Sequence, residues 1–282
     1  MNKTCAVIIP TYNELEELQK CLATLEFPEG LDIKVLIINA GDPISFPDRP
    51  YVEVIKVPSD HFWGTCIRVG FEEVIKRGGF DYVMLANADT TFLPGSIQGL
   101  FDYVKTHPRH IAVCPAYDLV DGKPVIHYSD QLQWGFLYYG KINRRWETLA
   151  DAPKDPIEVE LVGGQGVMFE ADELAKFPMD DKRFPQAAGD HDLWVRFRQA
   201  GYKLMLIPTT GIVNERPLSQ KRKKSLMATL WWRMTCKEQG ESIFVMWNLR
   251  RKHLSLPSAV VSFLISFIGR WTVGLPKIIG RS

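Results

Sequence analysis

Residues Asn87-Ala88-Asp89 stand where a bound ligand would meet them. The apolar run Tyr82–Ala86 before them has the length and bounds of a buried strand, and Pro94-Gly95 breaks the chain soon after. A lone carboxylate at the carboxyl end of a strand in an open α/β sheet points into the crevice where ligands bind. Asp89 is therefore a candidate for holding a hard cation against a phosphate. Asn and Asp also bond their own backbone readily, so a plain turn is the other reading of Asn87 and Asp89. A second stretch, Gly163-Gly164-Gln165-Gly166, has three glycines in four positions, which allows either a close backbone approach to a ligand or a bulge. The insert from Asp118 to Asp155 carries Trp134, Phe136, Tyr138, Tyr139 and Trp146 among His127, Arg144 and Arg145 with no sustained period. Such an insert suits a binding lid, or aromatics that simply pack it down.

The elements that must position these residues follow from hydrophobic period. Strands are predicted at Ala6–Pro10, Lys34–Asn39, Tyr51–Val57, Tyr82–Ala86 and Ile111–Tyr117, each closed by turn-forming residues. Helices are predicted over Leu15–Leu25, from about His61 to Arg77 with Gly78-Gly79 as the stop, and over Ser96–Thr106. Further on, Glu158–Val162 and Val167–Phe169 read as strand, Gly189–Ala200 as helix and Lys203–Pro208 as the last clear strand. Strand, turn and helix in repetition imply a doubly wound, mostly parallel sheet, because parallel neighbours need a covering crossover.

With 282 residues, 46% hydrophobic and 24% charged, the chain can bury a full core. Five widely spaced cysteines without a Cys-x-x-Cys pair suggest neither zinc nor a disulfide framework, so a reducing compartment is expected. Ala6–Ile9 follows the start directly, with no basic segment leading into a long apolar one, which argues against an ordinary secretory signal. The net charge of +1 hides an asymmetry: residues 216–282 hold 13 Lys and Arg against 2 Asp and Glu, and residues 1–215 hold 21 against 31. The expected organisation is a catalytic domain over 1–215 and a helical, basic and apolar tail over 216–282.

Within that tail, residues 254–269 carry no charge. Leu256, Val260, Phe263, Leu264 and Phe267 recur at helical spacing, while Ser255, Ser258, Ser262 and Ser266 line another face. The run falls short of the ~20 apolar residues needed to span a bilayer. An interfacial helix on an anionic membrane surface is expected, with Lys221–Lys224, Arg250–Lys252 and Arg270 at the headgroups and Trp271 at the boundary. The same stripe would also serve to pack on the catalytic domain or to join two copies in a homodimer. Lys221–Lys224 by itself suggests a nucleic-acid binder, yet no recognised nucleic-acid motif accompanies it, so no such partner is expected.

Five pieces together resemble the family 2 glycosyltransferases in order and spacing: Pro10–Glu14, Asn39–Asp42, Phe62-Trp63-Gly64 with Arg68 and Gly70, Asn87–Asp89 with Pro94-Gly95, and Gly189–Tyr202. The resemblance covers residues 5–215, and its Phe-Trp and Pro-Gly elements are most similar to the bacterial polysaccharide branch that includes rhamnosyltransferases. It implies a single Rossmann-like domain of the A type. The implied reaction is inverting, metal-dependent transfer of a sugar from a nucleotide-diphosphate sugar to an acceptor hydroxyl, in assembly of cell-surface polysaccharide or glycolipid. A saccharide or lipid-linked saccharide acceptor and a place on the cytoplasmic face of the cell membrane are implied as well. Carried over by position, Pro10, Thr11, Tyr12, Glu14, Asn39 and Asp42 would flank the donor nucleoside. Trp63, Gly64, Arg68, Asn87 and Ala88 would line the donor pocket, and Asp89 would bind Mg²⁺ or Mn²⁺ on the diphosphate. Asp190 would be the base, with Trp134, Gly164, Gln165 and Asp192 on the acceptor side.

The chemistry matches these residue types: transfer needs a base for the acceptor proton and positive charge at the departing diphosphate. Asp190 has a plainer reading as a helix N-cap, and Asp192 suits the first turn of a helix equally. The chain departs from the family pattern where the family usually has aspartate and here Asn39 and Asn87 stand, and where it has an acid and here Gly189 stands. A histidine is also frequent near the position of Asn214. Fewer anionic ligands imply weak metal binding. A catalytically degenerate sugar- or nucleotide-binding scaffold is the alternative that these departures motivate.

Overall fold

The computed structural model describes residues 2–120, 123–128, 130–131, 141–142, 149–214 and 242–279. The chain runs through β1 (Lys3–Thr11), α1 (Leu15–Ala23), β2 (Leu31–Asn39), β3 (Val52–Lys56), α2 (Trp63–Arg77) and β4 (Tyr82–Leu85). Next come β5 (Thr90–Phe92), α3 (Ser96–Val104), β6 (His110–Val113), β7 (Ala116–Val120), β8 (Lys123–Tyr128), β9 (Asp130–Gln131) and β10 (Lys141–Ile142). After β11 (Ile157–Val159) and β12 (Val167–Glu170) follow α4 (Gly189–Gln199), β13 (Lys203–Leu206) and β14 (Ile212–Asn214). Two helices close the described chain, α5 (Ile243–His253) and α6 (Leu256–Ile279).

Eight strands form the central sheet in the order β11-β13-β6-β12-β4-β1-β2-β3. The β4-β1-β2-β3 half is parallel throughout, and β13 is parallel to β6. Strand β12 is inserted antiparallel between β4 and β6, and β11 adds antiparallel to β13. Alternation along β1 shows why these strands read as unbroken apolar runs. Ala6 and Ile8 join the core under α2 and α4, with Ile67, Phe71, Leu193 and Phe197. Cys5, Val7 and Ile9 join the opposite core under α1 and α3, with Leu18, Leu22, Leu100 and Phe101. Covered on both faces, a strand has no polar side to show. Gly70 lets α2 lie close on the sheet, since a Cβ there would come within 2.5 Å of Ile8.

The predicted strand Ile111–Tyr117 is in fact two. Pro115 separates β6 from β7, and β7 leaves the central sheet for a second one, ordered β5-β14-β7-β8. Proline donates no ladder hydrogen bond, which accounts for the break. The start of the insert is likewise not irregular, because β7 pairs antiparallel with β8 in a register that brings Val120 opposite Lys123. Trp134 and the other aromatics at 136, 138, 139 and 146 lie outside the described residues, as does the expected domain boundary near 215.

Candidate active site

The carboxyl ends of β1, β2 and β4, the glycine-rich entry to β12 and the N-terminus of α4 meet at one edge of the central sheet. Thr11 ends β1 opposite Asn39 at the end of β2, and the Ala40 amide donates to the Thr11 carbonyl at 3.0 Å. Asn39 is buried and its side chain closes the following turn: its amide donates to the Asp42 carbonyl at 2.7 Å and its oxygen accepts from the Gly41 amide at 2.8 Å. Asn13 holds the left-handed conformation (φ 55°) that Asn tolerates well, and its Oδ1 accepts from the Asp42 amide at 2.6 Å. The Pro10–Glu14 and Asn39–Asp42 pieces thus form one joined rim, from which Tyr12 projects into solvent. Neutral Asn39 is the better residue for this turn, because only an amide both donates and accepts there.

Beside that rim, a chain of hydrogen bonds links three of the expected site residues. The Trp63 indole Nε1 donates to Asn87 Oδ1 at 2.8 Å, and Asn87 Nδ2 donates to Gln165 Oε1 at 3.0 Å. The glycine next to Gln165 completes the contact with α4. A Cβ on Gly164 would sit 2.5 Å from the Trp63 ring and 3.3 Å from the Asp190 Cβ. Gly164 thus lets the backbone pack closely on Trp63 and the first turn of α4, whereas Gly166 takes the positive φ of 64°, with its amide bonded to the Leu85 carbonyl at 2.8 Å. Asp190 is half-buried in the first turn of α4, and its Oδ1 accepts from the His191 amide at 2.8 Å. The N-cap position is taken by Ala188 in the left-handed conformation (φ 63°), so capping does not explain Asp190.

Asp89 lies in the turn after β4, 8% exposed, where the Thr90 amide donates to the Asn87 carbonyl at 3.1 Å. Burial pushes the Cys21 thiol up to about 12, and the Asp89 charge adds to that rise, which places the carboxylate over α1. The donor set tests the expected cation. Asn87 has both of its side-chain atoms committed to Trp63 and Gln165, so of the Asn87–Asp89 segment it is Asp89 that could offer a carboxylate to an ion. One carboxylate fits an ion that arrives with most of its oxygen ligands on a diphosphate. The group of three carboxylates close enough to share an ion, Glu170, Asp172 and Glu173, lies elsewhere. Glu170 pairs with Tyr82 at the opposite end of β4, so that cluster does not belong to this site.

A profile of Glycosyl transferase family 2 matches residues 6–155, more than half of the chain. The chain belongs to that family. Among its curated relatives are the N-acetylglucosaminyl-diphospho-decaprenol L-rhamnosyltransferases of two Mycobacterium tuberculosis strains, CDC 1551 / Oshkosh and ATCC 25618 / H37Rv. Each is 22% identical over 246 residues, covering 79% of this chain and 79% of the relative. Among solved structures, that of GalNAc-T7 with UDP, GalNAc and Mn²⁺ aligns with a TM-score of 0.61 at 12% identity. It covers 93% of this chain, and the chain spans about half (54%) of that protein. That likeness is one of fold, and the fold is the A-type glycosyltransferase architecture that the sequence led us to expect.

Other family positions are placed less simply. At the start of α2 the backbone groups are already satisfied: the Gly64 amide donates to the Pro185 carbonyl at 2.6 Å and the Trp63 amide to Gln186 Oε1 at 2.8 Å. Arg68 is held by Asp181 at 3.0 Å and Glu72 at 2.6 Å. At the position of Gly189, where the family has an acid, a Cβ would come within 2.9 Å of the Met179 methyl, so a side chain there requires Met179 to move.

Asp192, expected on the acceptor side, is fully buried and faces away from that side. Its carboxylate receives Arg196 at 3.0 Å, Lys252 at 2.8 Å and His253 at 2.8 Å. Burial works to raise its pKa, but the hydrogen bonds from His253 and Lys252 and the Arg196 charge hold it below the ordinary carboxylate range. Arg250 and Lys252, expected at lipid headgroups, also turn inward. Arg250 is buried and donates to Ser262 at 3.1 Å, Ser266 at 2.7 Å and the Met246 carbonyl at 2.8 Å, while Lys252 also pairs with Asp180 at 2.6 Å. Sequence reasoning missed Lys252 and His253 as neighbours of α4, and the one signal for them was that a buried acid in a helix requires cationic partners.

Proposed function

We propose that this chain transfers a sugar from a nucleotide-diphosphate sugar to an acceptor hydroxyl with inversion, with Asp190 as the base. The observation that carries the reading is the meeting of Asp190, Gly164 and the Trp63–Asn87–Gln165 chain at the carboxyl edge of the sheet. There, the acceptor oxygen would attack the anomeric carbon from the face opposite the diphosphate. The new carbon–oxygen bond forms as the bond to the diphosphate oxygen breaks with its electron pair, and the hydroxyl proton passes to Asp190. A reaction that uses one base and passes through no covalent glycosyl intermediate is an inverting one. Backbone at Gly164 and the amide of Gln165 would border the acceptor, and the Asn39–Asp42 rim would hold the nucleoside. A Mg²⁺ or Mn²⁺ held by Asp89 and the diphosphate would supply positive charge to the leaving group.

The acceptor is inferred to be lipid-linked. Two observations support this: the curated relatives are named for a decaprenol-linked substrate, and α6 exposes Leu256, Val260, Val261, Leu264 and Ile265. Its serines point the other way, Ser262 and Ser266 being buried against Arg250. Among the described residues no helix is long and apolar enough to cross a membrane, so an interfacial seat is the form of contact proposed. The test is a panel of nucleotide-sugars screened by thermal shift, followed by transfer to a polyprenyl-diphosphate saccharide in vesicles of phosphatidylcholine and phosphatidylglycerol. Transfer with inverted anomeric configuration and flotation with those vesicles are expected. Retention of configuration removes Asp190 as the base, and a protein that stays with the pellet removes the membrane seat.

A further inference from the structure

One turn of α5 touches two helices that are far apart in the chain. Arg250 reaches α6 through Ser262 and Ser266. Lys252 and His253, on the same turn, reach the Asp192 carboxylate of α4, and Lys252 also bonds Asp180 in the loop before α4. That loop continues to Phe184, which packs on Val245 and Leu249 of α5, and to Pro185 and Gln186, which cap α2 at Gly64 and Trp63. The centre of the node is buried: Asp192 is fully buried and the His253 side chain is 3% exposed, while Lys252 keeps partial contact with solvent. Taking such groups out of water is costly, so removing one partner leaves a buried charge without compensation. Asp190 is two residues from Asp192 on the first turn of α4, where the helix has few backbone bonds of its own to hold it.

We infer that Lys252 and His253 are positioning residues: through Asp192 and Asp180 they fix the first turn of α4 and so hold Asp190 against Gly164 and Trp63. The part of this inference that concerns turnover rests on Asp190 being the base; the part that concerns order in α4 does not. The C-terminal helices are then a component of the active site, supplied from 60 residues downstream.

The experiment uses the full chain with Lys252→Met, His253→Gln, the conservative Lys252→Arg, and Arg251→Ala as a control, since Arg251 is exposed on the same turn. Amide hydrogen exchange is followed in α4 and, for reference, in α1 and α3. In the two latch variants exchange at residues 191–193 should rise at least ~10-fold with α1 and α3 unchanged, a local rather than global opening. Turnover should fall by roughly 10-fold while the donor KM stays within about twofold, because geometry at the base changes and donor contacts do not. Lys252→Arg should restore both, and Arg251→Ala should change neither. If a latch variant does not fold, Asp192→Asn combined with His253→Gln, which puts an amide pair in place of the His253–Asp192 contact and leaves Lys252 with Asp180, carries the same readouts. Exchange that rises evenly over all helices, or not at all at residues 191–193, overturns the inference. Wild-type protein inactive with every donor tried would instead fault the proposed reaction, and the exchange data would still decide the latch.

Discussion

Asp190 and Asp192 sit on one helix and belong to two regions with opposite properties. Two residues along a helix is a rotation of about 200°, so one carboxylate faces the sheet's open edge and the other faces the protein. Around Asp190 the contacts are with backbone: its Oδ1 accepts from the His191 amide, Gly164 lies close by, and the residue stays half-buried. Around Asp192 they are ionic and sealed. Asp190 is left partly open at the sheet's edge, whereas Asp192 is fixed by Arg196, Lys252 and His253, whose contacts hold its pKa below the ordinary carboxylate range. The difference is therefore between a group that can work and a group that can hold.

The largest effect expected from breaking this contrast is at the sealed side. Asp192→Ala removes the buried partner of Arg196, Lys252 and His253, leaving Lys252 with Asp180 and Arg196 with the Pro178 carbonyl, and should cost about 3 kcal/mol in denaturant unfolding. Because the folded pKa of Asp192 is depressed, its contribution is fully present above the unfolded value of about 3.9 and fades as pH falls below it. The wild type should therefore lose more stability than Asp192→Ala as pH falls below about 4, read from melts at each pH. On the open side, Asp190→Asn should leave the melt nearly unchanged and lower turnover by at least ~10²-fold. Near-normal turnover in that variant would make the two aspartates alike and remove the contrast.

Gly164→Ala tests the seam of the open region. Its Cβ would come 2.5 Å from the Trp63 ring, so overpacking of about 1–3 kcal/mol is expected, together with loss of the Trp63–Asn87 bond, visible in indole fluorescence. The smallest effect belongs to an exposed pair far from both regions. Arg77 binds Glu53 through two bonds at 2.6 and 2.7 Å, yet Arg77→Ala should cost less than about 1 kcal/mol, as solvent-screened pairs do. A cost as large as that of Asp192→Ala would show that burial is not what separates the two kinds of ion pair.

The parallel half of the sheet was legible because burial on both faces writes continuous apolar runs into β1, β2 and β4. The short strands β5 and β14, three residues each, were not legible, since three residues show no period. Asp121-Gly122 between β7 and β8 is a standard hairpin signal that the insert's aromatic composition obscured. In the candidate site, the sequence singled out Asp190, Gly164, Trp63 and Asn87, which the fold brings near one another. It could not say which way each side chain turns, and so it assigned Asp192 to the acceptor and Lys252 to lipid. Those two errors have one cause: the ion node joins residues 60 apart, and pairing at that distance leaves no local pattern.

The position of β12 also governs the order in which the molecule can be made. As the chain leaves the ribosome, β3-β2-β1-β4 can close once residue 85 has emerged, but β6 must wait, because its two neighbours are β12 and β13. From residue 113 until residue 167 is synthesised, β6 has both edges bare, and β4 has one. Unpaired apolar edges recruit other chains, so this interval is where a nascent molecule depends most on protection. Slow translation between β6 and β12 should lower soluble yield, while the same delay placed after residue 214 should not.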